Sequence, residues 1–260
     1  MTELVHLGVA AGVATITLDS PANRNALSAE VRGDLAAHLA TAIDDDSIRV
    51  IVLGHSGPVF CAGLDLKEVA AGGADRAVGE IAAVLERIWT SPTPVVAALA
   101  GPARAGGVGL LAAADVVVAA LDVTFAFTEV RLGVTPAVIS ATLLPRMLPH
   151  AAHELFLTGE VFDAARAAAI GLVNSAVPAE RLDAEVRRYV DALLLAAPGA
   201  VASTKQLLRS SIAEELSRLG ALSAASFAGD EAREGMLAFA EKRPPQWAAP
   251  TGAPADGRSS

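Results

Sequence analysis

Two glycine-rich turns and one isolated acid are the residues of this chain best suited to chemistry. The turns are Cys61-Ala62-Gly63-Leu64-Asp65 and Ala105-Gly106-Gly107-Val108-Gly109, and the acid is Glu129. Each turn follows an apolar, strand-like run, Val50 to Leu53 and Val95 to Ala100, and leads into a helix-like pattern. Two such turns can deliver two backbone N–H groups to one oxygen atom, the geometry that polarises a carbonyl and holds an oxyanion. An acid beside them would move protons. Glu129 is flanked by Phe125, Ala126, Phe127, Val130 and Leu132. Burial among such residues would raise its pKa and suit it to work near neutral pH.

The elements that must position these residues can be read from the pattern around them. Val13 to Leu18 alternates as a strand and stops at Asp19-Ser20-Pro21. Ser28 is placed to cap a helix with Val31, Leu35 and Leu39 on its apolar face and Glu30 in its first turn, ending at Asp44-Asp45-Asp46. Val50 to Leu53 has no polar alternation and reads as a strand covered on both faces, as does Val95 to Ala100. Between them, Val78, Ile81, Leu85 and Ile88 recur at helical spacing. A small helix and a strand from Val116 to Ala120 come after the second turn. This alternation predicts a largely parallel sheet with helical layers. From Ala151 onward the chain reads as almost wholly helical, with Leu182, Val186, Val190 and Leu193 on one stripe and Leu207, Leu208 and Ile212 on another. Pro198-Gly199 marks a division, giving an α/β part over 1–197 and a helical part over 198–247. A tail over 248–260, rich in Pro, Gly, Ala and Ser, is expected to be disordered.

Composition narrows the classes. The chain has 260 residues, 53% of them apolar but only 4% aromatic, so its core must be built from Ala, Val, Leu and Ile. A net charge of −9 argues against nucleic acid and against a basic membrane-surface patch. The one cysteine, Cys61, excludes an internal disulfide and fits a reducing compartment. No secretory signal is visible at Met1 to His6, and the apolar stretch Val95 to Leu121 is interrupted by glycines, Pro102, Arg104 and Asp115. The expectation is a cytoplasmic protein.

Other patterns in the chain lead elsewhere and are weaker. Gly107-Val108-Gly109-Leu110-Leu111-Ala112 formally matches a dinucleotide fingerprint, with Glu129 about twenty residues on. Yet Gly101 to Ala105 separate it from the strand, whereas that fingerprint starts directly at the strand end. Gly54-His55-Ser56-Gly57 falls one residue short of a nucleophile elbow. The histidines His6, His38, His55, His150 and His153 show no metal-ligand spacing, and His150 and His153 fit a helix start after Pro149. Cys61 has no partner in the sequence and reads as a small buried residue.

Taken in order, Pro21 to Ser28, Phe60 to Glu68, Gly101 to Asp115, Thr128 to Pro136, Ala169 to Asn174, and Glu234 to Arg243 resemble the enoyl-CoA hydratase/isomerase (crotonase) family over nearly the whole chain. The resemblance implies an α/β crotonase-like spiral of ββα units with a helical C-terminal trimerisation domain. It implies a homotrimer or dimer of trimers, an acyl-CoA thioester substrate, no metal, and no cofactor beyond the CoA that is part of the substrate. By position, the oxyanion hole would be the backbone N–H groups of Leu64 and Gly106. The CoA would meet Arg24, Ala62, Lys67, Phe239 and Lys242, Phe239 matching an aromatic that relatives contribute from a neighbouring subunit.

The chain departs from the family at one decisive position. Hydratases of the family use two glutamates; Glu129 matches the second, and the first falls on Gly109. Three activities stay open. Hydration of a 2-enoyl-CoA with Glu129 alone is favoured. Movement of the double bond, with Glu129 shuttling a proton between C2 and C4, is the alternative. Acyl-CoA binding with little catalysis is the third. Arg104 and Arg131 flank the site in sequence and could pair with a second carboxylate on the acyl group.

Overall fold

The computed structural model describes residues 3–209 and 211–248, so the expected disordered tail lies, apart from Ala248, outside the described residues. Runs of Val, Ile and Ala form a six-stranded sheet in the order β1-β2-β3-β4-β6-β9. Its strands are β1 (Val5–Ala10), β2 (Val13–Leu18), β3 (Val50–His55), β4 (Val95–Leu99), β6 (Val116–Ala120) and β9 (Ser175–Val177). Only the β1–β2 hairpin is antiparallel, closed through Ala11 and Gly12 at positive φ; the other pairs are parallel. A smaller sheet joins β5 (Ala103–Arg104), β7 (Thr124–Ala126) and β8 (Phe162–Asp163).

The unalternating apolar strands are explained by helices on both faces. On one face lie α1 (Ala29–Asp44), α3 (Ala74–Thr90) and α4 (Gly106–Ala113), which share the main core with strand residues such as Ile16, Leu53 and Leu99. On the other, α8 (Leu182–Leu194) sets Leu182 and Val190 against Val50, Val96 and Val118. The Ser28 hydroxyl accepts from Val31 N and caps α1 as expected. The Val78, Ile81, Leu85 and Ile88 stripe of α3 is buried.

The remaining helices are a short α2 (Leu66–Glu68), α5 (Ala137–Leu143), α6 (Pro149–Thr158), α7 (Ala164–Ala169), α9 (Pro198–Leu208), α10 (Ala213–Phe227) and α11 (Asp230–Glu241). The stretch from Ala151 onward is mostly helical, as read, except for β8 and β9, which the reading missed. Both are two- or three-residue strands, too short to show a period. The expected stripe of Leu207, Leu208 and Ile212 also fails. α9 ends at Leu208, both leucines are exposed, and Ile212 is buried at the start of α10. Arg209 turns the chain there because its guanidinium stacks on Trp89 and donates to the Trp89, Ala113 and Ala114 carbonyls, which end α3 and α4.

Two packing features bear directly on Glu129. Behind it, Phe125, Phe127, Phe156 and Phe162 stack with ring centroids 4.5 to 5.6 Å apart, a cluster holding most of the chain's seven phenylalanines. Beside it, α11 docks backbone-to-backbone on the single-turn helix Thr128–Leu132. A Cβ on Gly235 would come within 2.3 Å of the Leu132 carbonyl oxygen, and one on Gly133 (φ +68°) within 2.4 Å of Glu231. Gly235→Ala should therefore force α11 off this turn and cost about 1–3 kcal/mol. Gly79→Ala, in the open middle of α3 with nothing within 4 Å of its added Cβ, should stabilise by about 0.5–1 kcal/mol. Thermal denaturation of the two variants checks the opposite signs.

Candidate active site

The two glycine turns face one another. Gly63, at φ +93°, precedes Leu64, and Ala105, at φ +48°, precedes Gly106, so each candidate donor follows a residue with left-handed backbone. For Ala105 that conformation is strained, and its amide is tied to Ala126 O at 3.1 Å. A Cβ on Gly63 would stand 3.5 Å from the Gly106 nitrogen, and one on Gly106 would stand 3.9 Å from the Leu64 nitrogen. The turns are in contact. They are registered by Leu27 N donating to Gly63 O at 2.8 Å and by Arg104 N donating to Cys61 O at 2.9 Å.

Gly106 opens α4, where the first N–H groups have no partner in their own helix. Among the described residues, neither the Gly106 nor the Leu64 amide donates to any acceptor. Both line one cavity of about 440 Å³. The N-terminus of α4 adds partial positive charge at its mouth.

Glu129 lines the same cavity, at the start of the single-turn helix. Its residue is 8% exposed, and its Oε2 is the one buried side-chain polar atom among the described residues with no hydrogen-bond partner. Burial without a compensating cation pushes its pKa from 4.5 up to about 7. The surrounding walls are apolar: Ile81, Leu132, Val134, Val138, Ile139 and Phe227. Arg104 and Arg131 also line the cavity, but Arg104 gives its guanidinium to Ala103 O, Thr124 O and Thr124 Oγ1, and Arg131 donates from Nε to Thr158 O.

The position of the missing glutamate is not empty. A Cβ on Gly109 would lie 2.7 Å from Ile139 Cγ2 and 3.2 Å from Ile139 Cβ. Ile139 of α5 therefore occupies the space where a side chain at 109 would begin. Thr142, one turn on, secures the same crossing by donating to Gly109 O and Ile139 O. Glu129 stands as the single carboxylate in the cavity lining.

A second cleft of about 980 Å³ adjoins the first and shares Arg24, Ala62, Leu64, Leu66, Phe227 and Phe239 with it. Arg24 and Ala62 are joined through Ala62 N donating to Arg24 O. Lys67 is exposed on the rim of this cleft. Phe239 lines both cavities from its own chain, where the resemblance implied a neighbouring subunit. Lys242 caps α11 at φ +54° and lies outside both linings. Two cations not singled out from sequence are there instead. Arg243 lines the first cavity, held by Glu234 and Glu241, and Arg233 lines the second. Cys61 is fully buried with its thiol pushed up to about 12, which makes it inert packing beneath Gly107.

Glu129 carries a stability cost with a definite sign. A carboxyl titrating near 7 when folded and 4.5 when unfolded contributes stability that is complete below about pH 4.5 and lost as pH rises through 7. The loss amounts to about 3 kcal/mol. Glu129→Gln should thus be more stable than the parent chain above pH 7 and lose that advantage toward pH 4.5, a comparison denaturant titration can make. Gly109→Glu should destabilise by about 1–3 kcal/mol through its clash with Ile139. Adding Ile139→Ala should recover much of that loss in the same measurement.

The chain is similar to known proteins over nearly its whole length. The enoyl-CoA hydratase/isomerase family description matches residues 8–250. Carnitinyl-CoA dehydratase of Proteus mirabilis (strain HI4320) is 35% identical over 260 residues, covering 95% of this chain and 99% of that one. The crystal structure of an enoyl-CoA hydratase from Mycobacterium avium superposes with a TM-score of 0.87 at 44% identity, covering 95% of this chain and 100% of that chain. Methylmalonyl-CoA decarboxylase, solved with 2-nitronate-propionyl-CoA, superposes with a TM-score of 0.81 at 28% identity, covering 94% and 98%. The fold is the crotonase fold, and the chain is an enzyme of the enoyl-CoA hydratase/isomerase family.

Proposed function

We propose that this chain adds water across the 2,3-double bond of an enoyl-CoA thioester, and removes it in reverse, with Glu129 as the only acid–base group. The observation that carries this reading is the buried Glu129 carboxyl, its Oε2 without a hydrogen-bond partner, in the cavity rimmed by the acceptor-free amides of Leu64 and Gly106. The thioester oxygen would accept from those two amides. Glu129, as carboxylate, would take a proton from water as its oxygen bonds to C3, and the C2–C3 π electrons would move onto the thioester as an enolate. The protonated Glu129 would then give that proton to C2 as the enolate collapses, leaving Glu129 ionised again and one water added. A group titrating near 7 exists in both required forms at neutral pH.

The adjoining cleft, with Arg24, Ala62, Lys67 and Phe239, is proposed to hold the CoA. Lys242, near the end of the same helix, is proposed to reach its phosphates from outside the lining. A homotrimer or dimer of trimers is the proposed assembly; the exposed Leu195, Leu207 and Leu208 are apolar surface that such an assembly could cover. No helix among the described residues is long and apolar enough to cross a membrane.

One observation favours a second reading. With Ile139 filling the place of the first glutamate, the cavity offers water one carboxylate, which is enough to carry a proton between C4 and C2 without water. Incubating the protein with a 2-enoyl-CoA and a 3-enoyl-CoA in ¹⁸O-labelled water separates the readings. Hydration gives loss of conjugated absorbance with ¹⁸O in the product, and kcat/KM that rises with pH through about 7. Double-bond migration without ¹⁸O uptake overturns hydration in favour of the isomerase, and saturable binding with neither overturns both. Glu129→Gln should lower kcat by about 10²–10⁴; retained activity would remove Glu129 from the mechanism.

A further inference from the structure

Among the described residues, the charged side chain with the least exposed surface is not in the cavity. Arg32, in the second turn of α1, is 1% exposed, and it stands behind the first glycine turn. Every nitrogen of its guanidinium is engaged. Nη1 donates to Leu27 O at 2.6 Å and to Glu68 Oε2 at 3.0 Å, Nη2 donates to Glu68 Oε1 at 2.7 Å, and Nε donates to Glu80 Oε2 at 2.9 Å. The fork on Glu68 is bidentate, the arrangement that fixes orientation as well as distance. Glu80 is held in turn by Arg76 on the solvent side.

These contacts close a ring around Leu64. Leu27, whose carbonyl Arg32 holds, donates its own amide to Gly63 O at 2.8 Å, immediately before Leu64. Immediately after Leu64, Asp65 caps α2 by accepting from Lys67 N at 2.9 Å, and α2 ends at Glu68, which returns to Arg32. The peptide carrying the Leu64 amide is thus pinned on both sides by one guanidinium. Beyond Glu68 the backbone has no such hold. The chain runs into a wide turn, Val69–Gly73, with Gly72 at φ +92° before α3 begins. Charge balance alone does not call for a buried arginine here, since Glu68 and Glu80 both reach solvent. Arg32 lines neither cavity, so it touches no substrate.

We propose that Arg32 is a positioning residue for the oxyanion hole, setting the direction of the Leu64 N–H through Leu27 on one side and Glu68 on the other. This rests on the reading of the Leu64 and Gly106 amides as carbonyl donors. The Gly106 amide is set chiefly by α4 and by Ala105, whose own N–H is tied to Ala126 O, contacts that lie outside the ring. Loss of Arg32 therefore weakens one donor of two, and it acts on the step in which charge develops rather than on CoA binding.

The test uses the infrared carbonyl band of a bound, saturated acyl-CoA together with steady-state kinetics. In the parent chain the thioester band moves to lower frequency on binding. In Arg32→Lys and in Glu68→Ala the band should move back toward its position in free acyl-CoA. In both, kcat should fall by about 10- to 100-fold, with a much smaller change in KM. Glu68→Ala leaves the buried arginine paired to Glu80 and keeps the readout available should Arg32→Lys fail to fold. Arg76→Ala removes only the solvent-side partner of Glu80 and should leave band and kcat unchanged. Full band shift and full kcat in the folded Glu68→Ala and Arg32→Lys variants would overturn the positioning role. A parent chain that binds acyl-CoA with no band shift would instead overturn the oxyanion reading itself, and the positioning role with it.

Discussion

The burial of one unpaired carboxylate is the constraint to which the rest of the site answers. Ionised Glu129 is largely withdrawn from solvent and no cation pairs with it, at a cost of about 3 kcal/mol against marginal stabilities of about 5–15 kcal/mol for domains generally. A surface turn could not impose that cost, because the chain would rotate the carboxyl into solvent. Here the turn is held from two sides. The phenylalanine cluster packs beneath it, and α11 closes over it with glycine at the two points where backbone meets backbone. The same closure makes the cavity apolar. A proton-transfer group and a water-excluding wall are thus one structural decision rather than two.

The second half of the site is built with almost no side-chain chemistry. On the proposed reading two amides do the polarising, so the residues around them are set by how closely backbones approach. Gly63 lies against Ala105, Gly107 against Cys61, and Gly101 against the Pro58 carbonyl. A single methyl group would break the last two of these contacts and crowd the first, where Gly63 also holds φ +93°. Amides cannot be tuned by ionisation, so their strength as donors depends on direction, distance and the local field. That is why a strained Ala105 on one side and a buried guanidinium on the other are reasonable investments of stability.

Much of this was legible in the sequence, and the limits have physical causes. The strand β2 and the stripes of α1, α3 and α8 show their periods plainly, because each buries one face, whereas β3, β4 and β6 show as unbroken apolar runs because both faces are covered. The glycine turns and Glu129 were visible because glycine after an apolar strand and acid among phenylalanines are both costly unless used. β8 and β9 were not visible, since two or three residues carry no period. Leu207 and Leu208 misled because hydrophobicity does not reveal whether a face is covered by its own chain. Arg32 was hidden for the opposite reason. A single arginine in an amphipathic helix reads as a solvated charge, and only the fold shows that Glu68 and Glu80, 36 and 48 residues away, converge on it.

Gly109 shows why absence in a sequence needs a structure to interpret it. From sequence it marks a missing carboxylate; in the fold it marks a helix crossing that Ile139 completes. Substitution toward glutamate at 109 alone therefore does not lead to a two-carboxylate site, because Ile139 of α5 occupies that volume. On the proposed reading a single carboxyl serves both as acceptor and as donor within one turnover, and its two proton transfers occur on the same face of the substrate. A strongly acidic carboxyl would accept poorly and one locked in the protonated form could not accept at all. The pKa near 7 that burial imposes on Glu129 lies between those failures. Had a second glutamate stood at 109, its charge would have raised Glu129 further still, and the cavity would have needed a cation or ordered water to hold the pair. An apolar wall at Ile139 is thus the arrangement under which one acid can do this work unaided.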